Sequence, residues 1–184
     1  LGYAQILDGD PTIPDHRRQA IKVIRRSGDH LLSLIEETLD LARIEGGKLS
    51  LDIQAVEFRE LLQQLTRMFE LQAANKGVHF RFVTHGEIPE FVRADERRLR
   101  QILINLLGNA VKFTEVGTVS FSIRHAHDIA LFEIEDTGPG IGQEELARVF
   151  EPFARGNAAQ HKASGTGLGL TIAIFWPNRA LSRV

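Results

Sequence analysis

Asn105-Leu-Leu-Gly-Asn109-Ala-Val-Lys112-Phe-Thr114 joins a helical apolar pattern to polar groups at fixed spacing. Asn105, Asn109 and Lys112 fall at i, i+4 and i+7, so they lie along one stripe of a helix expected over Asp95–Lys112. Leu99, Ile102, Leu103, Leu106, Ala110 and Phe113 form a neighbouring apolar stripe, centred roughly 100° away around that helix. One side of such a helix faces a core, and the other presents two amides and an ammonium to a shared site. An amide oxygen is a hard ligand suited to Mg²⁺, which keeps several waters and rides on phosphates. A lysine supplies a point charge for phosphate oxygens. The plain alternative is a helix with incidental solvated polar residues.

Downstream, Asp136-Thr137-Gly138-Pro139-Gly140 follows directly on a strand pattern, Ile129–Glu135. A carboxylate at a strand end can accept a hydrogen bond from an exocyclic amine such as that of adenine. The glycines allow a ligand to approach the backbone closely. The same residues also make an ordinary Asp-Thr-Gly turn. Gly165-Thr166-Gly167-Leu168-Gly169-Leu170 then leads into a short apolar run, as a loop entering a helix whose backbone N–H groups favour phosphate. No Gly-Lys-Ser/Thr follows, so it is not a Walker A loop, and no strand feeds it directly as in a Rossmann turn. Between these motifs stand Phe150-Glu-Pro-Phe153 and the small, polar, poorly periodic 154–164, which suit a lid with phenylalanine anchors or a plain surface loop.

Upstream, Leu1–Leu7 reads as the tail of a helix, broken by Asp8-Gly9-Asp10-Pro11. A second helix starts near Pro14 and Asp15 and carries Ile21, Ile24, Leu31, Ile35, Leu39 and Ala42 at three/four spacing until Gly46-Gly47. So apolar a helix needs a partner, and two copies of the hairpin joined as a four-helix bundle would cover it. Beyond Gly47, Lys48–Ile53, Val78–Val83, Phe91–Arg93 and Val119–His125 have strand patterns, and Glu57–Asn75 a helical one. The expected fold is α+β: a two-layer α/β sandwich over 47–184 preceded by a helical hairpin over 1–46.

The chain has 184 residues, 43% of them hydrophobic, enough for one ordinary domain and a smaller helical piece. Its net charge of −2 gives no reason to expect nucleic acid as a partner. It has no cysteine, which excludes a disulfide framework and a thiolate zinc site. No apolar run approaches the ~20 residues of a membrane helix, so none is expected within these residues.

In this order, the motifs resemble the catalytic domain of the sensor histidine kinases, within the ATPase superfamily shared with gyrase and the mismatch-repair ATPases. Asn105–Thr114 resembles its N box, Asp136–Gly140 its G1 box, Phe150–Phe153 its F box and Gly165–Leu170 its G2 box. Leu1-Gly-Tyr-Ala-Gln5, Arg26–Leu32 and Leu39–Glu45 resemble the family's dimerisation and phosphotransfer hairpin. The resemblance implies a protein-histidine kinase core of a two-component phosphorelay. It would use ATP and Mg²⁺ and act as a homodimer through the hairpin. It would be cytoplasmic, whether or not its parent is membrane-anchored, and relay phosphate to an aspartate of a response-regulator receiver domain.

It further implies that Asp136 binds the adenine amine and that Asn109 holds Mg²⁺ through the nucleotide. Asn105 supports the nucleotide, Lys112 meets the phosphates, and Gly138 and Gly140 let the base approach. Phe150 and Phe153 line the site, while Gly165, Thr166, Gly167, Leu168 and Gly169 shape the lid hinge, with Arg155 a further candidate for phosphate. Hydrolysing relatives carry glutamate where this chain has Asn105, which favours transfer over hydrolysis. The family's acceptor histidine is expected upstream of Leu1, so the 184 residues alone should not autophosphorylate; His16, at the hairpin turn, and His30, on the second helix, are not expected to replace it. The family also continues into further strands after Ala173, whereas Pro177 is expected to end the last helix here, leaving a sheet edge short of partners. A nucleotide-binding regulatory module and a dimerisation scaffold without transfer activity are the competing functions.

Overall fold

The computed structural model describes residues 2–8, 10, 12–46, 50–126, 129–146, 148, 151 and 182–183. The chain divides into two compact units, residues 1–49 and 50–184.

The first unit is a helical hairpin, α1 (Gly2–Asp8) and α2 (Asp15–Glu45). The Asp10 carboxylate accepts from the Thr12 N–H at 2.8 Å and the Thr12 hydroxyl at 2.7 Å, shaping the turn between the helices. Arg18 donates to Asp10 O and Ile13 O, and Arg25 pairs with Asp8 at 2.5 Å. These two arginines fasten the turn. Along α2, Val23, Ile24, Leu31, Leu32, Ile35 and Leu39 are exposed.

The second unit is built from β1 (Gln54–Glu57), α3 (Phe58–Lys76), β2 (His79–His85), β3 (Phe91–Ala94), α4 (Glu96–Phe113), β4 (Thr118–Ala126), β5 (Ile129–Asp136), the single turn α5 (Gln143–Leu146) and the short β6 (Ser182–Arg183). β2, β4 and β5 form one sheet in that order, with β2 parallel to β4 and β4 antiparallel to β5. The parallel pair requires a crossover, and β3 and α4 provide it. β1, β3 and β6 form a second, antiparallel sheet.

Val119, Phe121 and Ile123 alternate inward from β4 and are fully buried. They join Phe58, Leu61, Leu62, Leu65 and Phe69 of α3 and Leu99, Leu103 and Leu107 of α4 in one core. Helices on one face of a mixed sheet make the α+β architecture expected from the sequence.

Three local expectations change. The strand before α3 is Gln54–Glu57: of the Lys48–Ile53 expected as strand, residues 50–53 are without strand structure and 48–49 lie outside the described residues, and Val56 at 3% exposure is the side chain that anchors the pairing to β3. The buried stripe of α4 runs through Leu99, Leu103, Leu107, Ala110 and Val111, while Ile102, Leu106 and Phe113 are only half-buried. Packing against α3 selects that side of the helix. Finally, Ser182 and Arg183 pair with Arg93 and Val92, a strand no side-chain pattern announced. Among the described residues no helix is long and apolar enough to cross a membrane.

Candidate nucleotide-binding site

α4 is fixed at both ends. Asp95 is its N-cap: one carboxylate oxygen accepts from the Arg98 N–H at 3.0 Å, and the other accepts from the Asp52 N–H at 3.1 Å. At the far end, the Thr114 N–H and hydroxyl both donate to Ala110 O. Lys76 Nζ, from the last turn of α3, donates to Val111 O at 2.8 Å and to Lys112 O at 2.5 Å. A cation there satisfies orphan carbonyls and complements the helix dipole.

With the opposite side committed to the core, Asn105, Asn109 and Lys112 stand half-buried on α4. The Asn105 Nδ2 is buried and has no hydrogen-bond partner. A buried amide without a partner is costly, and a bound acceptor would relieve it. Lys112 Nζ lies 4.8 Å from the centroid of the Phe113 ring.

Asp136 ends β5, paired in register with Val119, and is exposed. The Gly138 N–H donates to Asp136 Oδ1 at 2.9 Å, and Oδ2 is the carboxylate's other acceptor oxygen. A Cβ at Gly138 would lie 2.7 Å from that Oδ1 and 3.2 Å from Phe113 O. A side chain at this position would crowd both atoms, because the loop lies against the last turn of α4. This close approach brings the Asp136 loop to the end of the Asn105–Lys112 stripe. At Gly140 a Cβ would meet nothing, and the requirement is the left-handed φ of 70°.

Phe150, Phe153, Arg155, Gly165, Thr166, Gly167, Leu168 and Gly169 lie outside the described residues. Two contributing residues were not singled out from sequence. Asp95 could have been, since an aspartate just before an apolar periodic run is an N-cap signal. Lys76 carries no such signal, because its role depends on tertiary contacts. No group of three or more histidine, aspartate or glutamate side chains able to hold a metal occurs among the described residues. A cavity of about 460 Å³ lined by Glu57, Glu60, Glu90, Arg59 and Arg67, with Gln63 and Gln64, contains none of the predicted site residues.

Known proteins define the class. Residues 94–183 match the family described as histidine kinase-, DNA gyrase B-, and HSP90-like ATPase, and residues 1–47 match the His Kinase A (phospho-acceptor) domain. The chain belongs to the sensor histidine kinases, as a fragment with their dimerisation and catalytic domains. It is 40% identical over 169 residues to the circadian input-output histidine kinase CikA of Synechococcus elongatus, covering 87% of this chain and 22% of CikA. With the histidine protein kinase DivJ of Caulobacter vibrioides it shares 37% identity over 176 residues, covering 94% of this chain and 29% of DivJ. Full-length ShkA, solved in complex with AMPPNP, superposes with a TM-score of 0.73 at 36% identity, over 95% of this chain and 36% of that one. The chain thus spans well under half the length of these relatives.

Proposed function

We propose that residues 50–184 bind Mg·ATP and transfer its γ-phosphoryl group to a histidine imidazole, the acceptor being a residue other than His16 and His30. The observation that carries this is the approach of Gly138 to the Phe113 backbone, which sets the Asp136 carboxylate beside the helix bearing Asn105, Asn109 and Lys112. The unpartnered Asn105 amide fits a ligand rich in acceptors, and ShkA was solved with an ATP analogue.

Asp136 Oδ2 would accept from the exocyclic amine of adenine, for which a carboxylate is the suited acceptor. Asn109 would contribute an amide oxygen to a magnesium ion carried by the phosphates, and Lys112 would meet phosphate charge. ATP supplies the activated phosphoryl group. The chain supplies position and charge neutralisation, which account for most of phosphoryl-transfer catalysis. The acceptor imidazole is the nucleophile, so the amide Asn105 can stand where a water-activating carboxylate would serve hydrolysis. The exposed apolar side chains of α2 fit pairing with a second hairpin into a four-helix bundle. The phosphoryl group would pass on to a response-regulator aspartate, in the cytoplasm.

The test incubates the chain with γ-labelled ATP and a separate hairpin carrying the family's acceptor histidine. Label on that hairpin is the expected result. Binding of Mg·ATP without transfer would leave only a nucleotide-binding module, and absence of both would leave only the scaffold.

A further inference from the structure

The loop that carries Asp136 is itself held by its neighbour. Resting on the assignment of Asp136 to the adenine amine, we propose that Thr137 is a positioning residue for that carboxylate, with Gly117 as the partner that makes room for it. Thr137 Oγ1 accepts from the Thr118 N–H at 3.0 Å, and the Thr137 N–H donates to Thr118 O at 3.1 Å. One residue thereby engages both backbone polar groups at the start of β4. Gly117 has a φ of 125°, and a Cβ there would collide with Thr137 Oγ1. Gly117 is thus glycine for its conformation and for the space that the threonine occupies.

The consequence reaches the carboxylate through the backbone. Thr137 sits between Asp136 and Gly138, and the Gly138 N–H holds Asp136 Oδ1 at 2.9 Å. With the loop tied to Thr118 on one side and lying against Phe113 on the other, the carboxylate is held in place, and Oδ2 would serve as the acceptor for the amine. Thr137 need not touch the nucleotide. Without its hydroxyl acceptor the loop loses one of its two side-chain ties, the carboxylate is less well aimed, and the amine contact weakens. The effect should therefore depend on the amine being present.

The test titrates the 184-residue chain with Mg·ATP and with Mg·purine riboside triphosphate, which lacks the 6-amino group. Thr137→Val should raise the Kd for ATP about three- to tenfold, the worth of one ordinary hydrogen bond. It should leave the Kd for the analogue within about twofold, since no amine contact exists there to lose. Thr137→Ser keeps the acceptor and should restore ATP affinity. Thr137 is exposed, so its variants should fold, and thermal unfolding checks this. Loss of affinity for both nucleotides together, in step with a lower Tm, would mean a merely structural role and would overturn the proposal. Asp136→Asn separates the two levels of inference. If it discriminates ATP from the analogue while Thr137→Val does not, the positioning role falls and the adenine assignment stands. If Asp136→Asn does not discriminate them, or the unaltered chain binds neither nucleotide, the assignment falls and the positioning role with it.

Discussion

Asp95→Ala should destabilise the second unit by about 0.5–3 kcal/mol, because one small side chain satisfies two backbone donors. Asp95 is only 6% exposed. One oxygen caps α4 through the Arg98 N–H at 3.0 Å, and loss of such a cap costs about 0.5–2 kcal/mol. The other holds the Asp52 N–H at 3.1 Å. Asp52 is exposed, so water can replace that bond and its loss adds at most about 1 kcal/mol. For a domain of this size the sum lowers Tm by roughly 2–12 °C. Asparagine keeps a capping oxygen and ranks with aspartate at this position, so Asp95→Asn should cost less than about 1 kcal/mol. Thermal and urea unfolding followed by far-ultraviolet circular dichroism measure both variants. Alanine within about 0.5 kcal/mol of the unaltered chain, or asparagine as damaging as alanine, would refute the capping account.

Three further outcomes are expected. Lys76→Met removes the cation on Val111 O and Lys112 O and should cost about 0.5–1.5 kcal/mol in urea unfolding, with the difference shrinking as salt screens the helix dipole. Leu107→Ala, at a fully buried position, should cost about 2–5 kcal/mol by the same measurement. The Glu57 carboxyl titrates above its ordinary value of 4.5, first because of a side-chain hydrogen bond with Glu60 and then through that neighbour's charge. A carboxyl raised in the folded state favours the fold below its unfolded pKa and loses that contribution as pH rises through the folded one. Glu57→Gln should accordingly raise Tm at neutral pH, the gain closing as pH falls below about 4.5 in a pH series of thermal melts.

Much of the local geometry of the candidate site was visible in the sequence because helical spacing is a local property. Asn105, Asn109 and Lys112 share a stripe on any α-helix, and α4 forms over almost the residues expected of it. Asp136 was likewise placed at the end of its strand by the alternation of β5. The side of α4 that faces the core was less legible, since seven-residue periodicity leaves the stripe free to turn, and contact with α3 chose Leu107 and Val111 over Leu106 and Phe113. β1 was misplaced because Lys48–Ile53 alternates as well as a strand does, yet it is Val56 that reaches the core. Gly138 also has a reason besides the one expected: a Cβ there would crowd Phe113 O and Asp136 Oδ1 before any base arrives. Gly117 and Thr137 belong to the same kind, as two unremarkable residues whose relation exists only after β4 and β5 have paired.

A crystal structure of the chain with magnesium and a non-hydrolysable ATP analogue tests the nucleotide site most directly. The exocyclic amine is expected within hydrogen-bond distance of Asp136 Oδ2, about 2.7–3.2 Å, with the phosphates and metal running along Asn105, Asn109 and Lys112. A nucleotide bound elsewhere, or one whose base and phosphates avoid these two groups, would contradict the account.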